Sequence, residues 1–158
     1  MPFIKIYIHL VWSTKSRKPF LNTIESRKLV WNHIKENAKE KNIYIDFINV
    51  YEDHCHCLIL LGSDQNIKKV VQLLKGESSF WINKNSHLFP NLKGEKFGWQ
   101  EEYYALSVSN SVLNKVRNYI KNQEEHHRKK SFQEECDLIV EEFKDLAKAY
   151  NFDCSSSS

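Results

Sequence analysis

The spacing of apolar residues predicts that the chain opens with a β-strand over residues 3–12. Between positions 4 and 10 every second residue is isoleucine or leucine, with lysine, tyrosine and histidine in between. Side chains alternate between the two faces of a strand, so this pattern indicates a strand with one buried face. A helix is predicted next, from the capping-box pair Asn22 and Glu25 to about Lys41. Its apolar positions are Ile24, Leu29, Trp31, Ile34 and Ala38.

The middle of the chain predicts a hairpin, a helix and a further strand. Two apolar runs, 43–51 and 54–61, are separated only by Glu52 and Asp53, which is typical of a hairpin. Beyond the hairpin, the chain combines apolar positions at helical spacing with turn-forming glycines and a proline. This pattern predicts a helix over 65–84, a loop over 85–99 and a strand over 102–109.

Two more helices are predicted at the C-terminal end. The third helix runs from about Asn110 to His127, and a capping-box pair, Ser131 and Glu134, opens a final helix to about Tyr150. The buried stripe of the third helix is expected to consist of Val112, Leu113, Val116 and Ile120.

The order of these elements predicts an α+β fold of the ferredoxin-like (RRM-like) kind. Strand, helix, strand, strand, helix, strand is the βαββαβ arrangement, an antiparallel sheet with helices on one face, here followed by C-terminal helices. The chain has no internal repeat and no linker, so a single domain is predicted over 1–154, with 155–158 as a flexible serine tail.

Composition favours a soluble cytoplasmic protein. Hydrophobic residues make up 41% of the 158 residues, which is enough for a core, and no apolar run approaches the ~20 residues of a membrane helix. The first residues lack a charged lead followed by an apolar run, so no secretory signal is expected. Four cysteines do not make the chain cysteine-dense, which favours a reducing compartment.

Charge is distributed unevenly along the chain. The net charge is +3, but residues 131–158 carry seven acids and two bases, so the first 130 residues carry +8. A basic body suits a polyanionic partner, although a solvated surface explains the charge equally well. Three tryptophans, Trp12, Trp81 and Trp99, are either core residues or platforms for stacking bases. The basic candidates for DNA binding are Lys15, Arg17, Lys18, Lys68, Lys69, Lys75, Lys115, Arg117, Lys121 and Arg128.

Two histidines in the second hairpin strand form the first chemical feature. His54 and His56 project to one face of a strand, while Cys55 and Cys57 project to the other. Two imidazoles at this spacing suit one divalent metal, and the cysteines are then interpreted as small core residues. Ordinary polar strand residues are the alternative interpretation.

A tyrosine and a glutamine share one face of the third helix. Tyr119 and Gln123 are four residues apart, so they lie one turn from each other. Gln123 offers an oxygen donor, and a His-His-Gln set with open positions suits Mg²⁺ or Mn²⁺ on a phosphate. Tyr119 is either a half-buried core residue or a nucleophile, and a metal on the scissile phosphate would help a tyrosine react.

The sequence resembles the single-tyrosine HUH transposases of small bacterial insertion sequences, including their REP-associated relatives. The matching segments occur in the family order and span roughly residues 3–135. They are 11–15 (VWSTK), 54–59 (HCHCLI), 74–79 (LKGESS), 99–103 (WQEEY), 107–109 (SVS) and 119–128 (YIKNQEEHHR).

The resemblance implies metal-dependent cleavage and rejoining of single-stranded DNA through a 5′-phosphotyrosine intermediate. It implies that His54, His56 and Gln123 hold Mg²⁺ or Mn²⁺ and that Tyr119 is the nucleophile. It also implies hairpin-ended single-stranded DNA as the substrate, with no small-molecule cofactor and no membrane partner. A homodimer is expected, with strands 3–12 and 43–51 as candidate edges, and in such dimers the tyrosine helix of one chain can serve the histidines of the other.

Three departures from the family and two rival functions remain open. Cys55 stands where a bulkier apolar residue is usual, Tyr104 stands where a small one is, and the acidic segment 131–153 exceeds the minimal transposase, so a domesticated relative is an alternative. One rival is a non-catalytic module that binds single-stranded nucleic acid on the same sheet. The other is a structural zinc site of His54, Cys55, His56 and Cys57, which strand alternation opposes.

Overall fold

The computed structural model describes residues 3–122, which hold four strands and three α-helices. The chain falls into two compact units, Met1–Lys121 and Asn122–Ser158, and the fold described is that of the first. The single domain predicted over 1–154 extends beyond these residues and stays a prediction. The elements are β1 (Ile6–Ser13), α1 (Ile24–Glu40), β2 (Tyr44–Val50), β3 (His54–Leu61), α2 (Ile67–Lys84), β4 (Tyr104–Val108) and α3 (Leu113–Lys121).

The four strands form one antiparallel sheet in the order β2-β3-β1-β4. Together with α1 and α2 they give the βαββαβ, ferredoxin-like arrangement, so the predicted fold is confirmed. The expectation that strand 3–12 supplies a sheet edge is wrong, because β1 is paired on both sides, with β3 and with β4. The edges of the sheet are β2 and β4.

Both faces of the sheet are covered at its centre. On one face, α1 and α2 pack on the main core, which includes Leu10 and Ile59. On the other face, α3 places Leu113 and Ile120 against Leu58. β1 is therefore buried on both faces from its second to its seventh residue, not on one face as its alternation predicted. Polar side chains on the α3 face of β1 are buried by a helix that a local pattern cannot reveal.

The N-terminus of α1 lies one residue later than the capping-box pair predicted. The N-cap is Thr23, whose side chain accepts a hydrogen bond from the backbone N–H of Ser26. The buried stripe of α1 also differs from the predicted one. Val30, Ile34 and Ala38 are buried, whereas Ile24, an expected apolar contact, is 55% exposed.

The edge strand β2 contains a bulge. Ile45 is paired with Ile59 and Phe47 with Leu58, so Asp46 is the extra residue. Ile45 packs on the main core and Phe47 on the α3 side, although residues two apart would share a face in a regular strand. The bulge therefore reverses the phase of β2 at Asp46.

The third helix is shorter at its start than predicted. A 3-10 turn, Asn110–Val112, precedes α3, and Val112 is exposed rather than part of the buried stripe. The predicted continuation to His127 and the final helix from Ser131 to Tyr150 lie outside the described residues. Among the helices within 3–122, none is long and apolar enough to cross a membrane.

Candidate active site beneath the third helix

The histidine pair of β3 is buried on the face that α3 covers. His54 is 0% exposed and His56 is 2% exposed, and their ring centroids are 5.1 Å apart. Cys55 and Cys57 lie in the main core on the opposite face. The four side chains cannot share one ion, so the geometry excludes a structural zinc site made of them. Burial raises the pKa of both thiols, which keeps them in their protonated form.

Each histidine of the pair is held by a partner at Nδ1. His54 Nδ1 lies 2.7 Å from Oδ1 of Asp53, and His56 Nδ1 lies 2.9 Å from Nε2 of His9. A carboxylate on Nδ1 fixes the ring orientation and favours the tautomer in which Nε2 carries the lone pair. Nε2 is therefore the nitrogen through which His54 would bind a metal, and His56 would do so in the tautomer in which its Nδ1 donates to His9.

His9 of β1 belongs to this site, although the sequence pattern marked it only as one of the polar positions of the first strand. Its ring stacks on His56 with centroids 5.1 Å apart. Burial lowers the pKa of His9 to about 4, so the ring is neutral at physiological pH. A neutral His9 brings no positive charge to the histidine pair.

The tyrosine of α3 lies over the same histidines. The Tyr119 ring is half-buried, with its centroid 5.8 Å from that of His56 and 6.3 Å from that of His9, both edge-to-face. The structure thus brings Tyr119 to the histidine pair, His54 and His56, from which it is far apart in sequence. Gln123, the predicted third ligand, lies outside the described residues.

Two polar contacts join α3 to β2. Arg117 donates two hydrogen bonds to Asp46, from Nε at 2.7 Å and from Nη2 at 2.6 Å. Asn49 Nδ2 donates to the carbonyl oxygen of Ile120 at 2.9 Å. Arg117 was a candidate for DNA binding, and the structure gives it a carboxylate partner within the chain.

The other basic candidates differ in their surroundings. Lys18 pairs with Glu95 at 2.6 Å, and Arg17 contacts Asp53 at 3.4 Å. Lys75 donates to the carbonyl oxygens of Gln100 and Glu101, and its partial burial lowers its pKa. Arg128 lies outside the described residues. The remaining candidates are exposed: Lys15, Lys68, Lys69, Lys115 and Lys121.

The three tryptophans considered as stacking platforms pack into or against the main core. Trp12 is 1% exposed and has no surface to offer a base. Trp81 is half-buried and stacks on His33, with centroids 4.1 Å apart. Trp99 is half-buried and donates from Nε1 to Ser78 Oγ at 2.8 Å. Their core role is therefore the better interpretation.

The donor set fits an incomplete metal site. Across residues 3–122, no group of three or more His, Cys, Asp or Glu side chains is placed to hold an ion. The pair His54 and His56 supplies two buried nitrogen donors, so an ion there needs ligands from elsewhere. Gln123, water and a phosphate oxygen are ligands of the kind that Mg²⁺ and Mn²⁺ accept.

Comparison with known proteins relates the chain to transposases. The family model described as "Transposase IS200 like" matches residues 3–123. The ISDra2 transposase TnpA of Deinococcus radiodurans is 27% identical over 118 residues, 73% of this chain and 81% of that protein.

Two solved structures share the fold. One, from Deinococcus radiodurans R1 and assigned as a transposase, has a TM-score of 0.61 and 26% identity, covering 77% of this chain and 93% of its own. The other is a REP-associated tyrosine transposase bound to a REP hairpin, with a TM-score of 0.57 and 15% identity, covering 80% of this chain and 72% of its own. Because the family model spans most of the sequence, the chain belongs to the IS200-like transposase family, whose members carry out DNA transposition.

Proposed function

We propose that the protein is a metal-dependent endonuclease and strand transferase acting on single-stranded DNA, with Tyr119 as its nucleophile. The observation that carries the proposal is the position of the Tyr119 ring, 5.8 Å from the buried His56 ring. A binding module has no need of a phenol beside two buried imidazoles. His54, His56 and Gln123 are the proposed ligands of Mg²⁺ or Mn²⁺.

The proposed reaction is a transesterification. The Tyr119 hydroxyl loses its proton and its oxygen attacks a backbone phosphorus, forming the Oη–P bond as the P–O3′ bond breaks. The leaving 3′ oxygen takes up a proton, and the 5′ phosphate stays on the tyrosine. Attack by another strand's 3′ hydroxyl reverses the step and rejoins DNA without an external energy source.

The other parts of the site stabilise charge, orient the imidazole rings and hold the tyrosine close. When bound, a divalent ion withdraws charge from the scissile phosphate and stabilises the developing negative charge. Asp53 and His9 hold the rings of His54 and His56 through Nδ1, so Nε2 of each is directed by an existing contact. The helix α3 supplies proximity, because it holds the phenol beside the pair before any DNA binds.

The DNA partner is proposed from the surface and from the relatives. A REP-associated relative is bound to a REP hairpin, which supports hairpin-ended single strands as the substrate here. The exposed candidate lysines, at position 15, on α2 and on α3, would contact phosphates, which carry most of the affinity for a flexible strand. We also propose a homodimer, because a transposition cycle must hold two DNA ends and a twofold dimer supplies two sites.

The experiment that tests the proposal is trapping of a covalent adduct. The protein is incubated with Mn²⁺ and single-stranded hairpin oligonucleotides, and adducts are resolved on denaturing gels. Tyr119→Phe removes only a hydroxyl, so the fold should persist while adducts fall by at least about a thousandfold, as expected when the nucleophile is lost. Tyr103→Phe is the matched control and should keep the wild-type yield.

Two results distinguish the alternatives. An adduct that survives Tyr119→Phe would exclude Tyr119 as the nucleophile. Tight binding of the oligonucleotide by the wild type with no adduct under any metal would favour the non-catalytic module or a domesticated relative.

A further inference from the structure

A break in the alternation of β2 turns two consecutive side chains towards α3. The Asp46 carboxylate reaches Arg117, and because Asp46 is the extra residue of the bulge, Phe47 packs on the α3 side as well. Beyond the bulge, Asn49 also reaches α3, and Val50 returns to the main core. A regular strand would have sent Phe47 to the face of Ile45. Bulges commonly redirect side chains in this way.

The two contacts hold α3 at residues that precede and follow Tyr119 in sequence. Arg117 precedes the tyrosine by two positions, and Ile120, whose carbonyl oxygen accepts from Asn49, follows it directly. A bidentate ion pair between a guanidinium and a carboxylate fixes the orientation of the two groups as well as their distance. The Asp46 side chain is 8% exposed, so solvent competes little for its oxygens. Together the contacts resist both rotation of α3 about its axis and sliding along it.

We infer that Asp46 and Asn49 form a seat that positions the tyrosine helix over the histidine pair. Arg117 is then a positioning residue, not a phosphate contact. The role of Tyr119 in this inference rests on the proposed function, but the seat itself does not.

The seat lies beside the histidine pair because both belong to one hairpin. Asp46 and Asn49 lie on β2, the histidine pair lies on the adjacent β3, and Asn49 is directly paired with His56 across the two strands. A helix held by β2 is therefore held over the histidines of the same hairpin. The same two contacts form whichever copy of the chain supplies α3, so they fix the helix over the histidines of the hairpin that holds it.

Two variants that each replace a charged side chain by an uncharged one, with opposite changes in net charge, test the seat. Arg117→Gln removes one positive charge and Asp46→Asn removes one negative charge, so a DNA-contact role predicts opposite effects on DNA binding. The seat predicts the same effect for both, namely an adduct-formation rate at saturating DNA that falls about five- to tenfold, the size expected for a partly exposed charge-assisted pair. The double variant should fall no further than either single one, because the two residues act as a pair.

Hydrogen exchange supplies a readout independent of DNA cleavage. Amides of residues 113–121 should exchange about tenfold faster in both variants, while those of β3 keep their protection. Lys39→Gln and Glu40→Gln are the matched controls, because they make the same charge changes at exposed positions of α1, across the sheet from α3. Arg117→Lys, which keeps the charge but lacks the fork, should recover part of the lost rate.

The outcomes separate the inference from the proposed function. Unchanged exchange of 113–121 in both variants would overturn the seat, and faster exchange with a wild-type adduct rate would overturn its positioning role. A wild type that forms no adduct defeats the proposed function, but the exchange result still tests the seat.

Discussion

The chemistry of β3 depends on which face of the sheet each side chain occupies. Cys55 and His56 are neighbours in sequence, yet the thiol is packed in the main core and the imidazole lies under α3. Alternation along one strand therefore separates a packing role from a chemical one. The sequence alone correctly predicted that the cysteines and the histidines face opposite sides of the sheet, because this needs only the period of a strand.

The first prediction at this scale concerns the metal. His54→Ala and His56→Ala each remove one nitrogen donor from a site with only two among the described residues. We expect the affinity for Mn²⁺, measured by isothermal titration calorimetry, to fall at least about tenfold, and excess chelator to abolish adducts in the wild type. His33→Ala is the control, because His33 pairs with Glu77 on the helix side of the sheet. Wild-type Mn²⁺ affinity in the His54 variant would contradict the site.

His9 shows what a single residue's pattern cannot reveal. It occupies a polar position in an alternating strand, which predicts a solvent-facing side chain. In the structure it is 8% exposed and contacts His56, because α3 covers that face. The covering helix lies a hundred residues away in sequence, so no local signal identifies this contact.

At the scale of elements, the strands and helices within 3–122 follow the predicted order, and the deviations have physical causes. The start of α1 moved by one residue because a threonine hydroxyl, not the capping-box asparagine, accepts the first hydrogen bond. The bulge of β2 was not predicted, because the apolar pattern of 43–51 gives no sign of a change of register. The spacing of apolar residues predicts which strands and helices form. It does not predict the exact start of a helix or the position of a bulge.

The cap of α1 gives a prediction that distinguishes the two assignments. Thr23→Ala should lower the free energy of unfolding by about 1 kcal/mol, because the Ser26 amide loses its acceptor. Asn22→Ala should cost clearly less, since Asn22 is not the N-cap. Urea unfolding followed by circular dichroism measures both values, and a larger loss at Asn22 would contradict the cap.

At the scale of the whole molecule, strandedness and salt should govern cleavage. Hairpin or single-stranded DNA should be cut and fully paired duplex should not, because the tyrosine must reach one phosphate of a flexible strand. If the five exposed candidate lysines contact phosphates, the log–log slope of affinity against salt should be about −3.5. Fluorescence anisotropy at several salt concentrations measures the slope. Equal cleavage of a blunt duplex would count against the proposal.

The state of assembly is the second prediction at this scale. Within residues 3–122 the outer edge of β4 has no strand partner, and Ala105, Leu106 and Ser107 on it are exposed. The other edge, β2, carries a bulge, and bulges discourage pairing. We therefore expect a twofold dimer joined at β4.

Analytical ultracentrifugation at micromolar concentration measures this association. Ser107→Lys should shift the protein towards monomer, because a charged side chain on an edge strand opposes pairing with a second copy. Glu40→Lys on α1 is the control and should leave the association unchanged. A wild-type monomer with full cleavage activity would refute the dimer.

The hairpin of β2 and β3 has a consequence for how this enzyme can change. One short stretch of chain supplies both the histidine pair and the residues that fix the helix carrying Tyr119. On the proposed function, a lesion there removes metal ligands or loosens the helix that carries the nucleophile, whereas the segment between α2 and β4 carries neither. The hairpin is then the part of the chain least free to vary. Target choice can diverge in the surrounding segments without disturbing it.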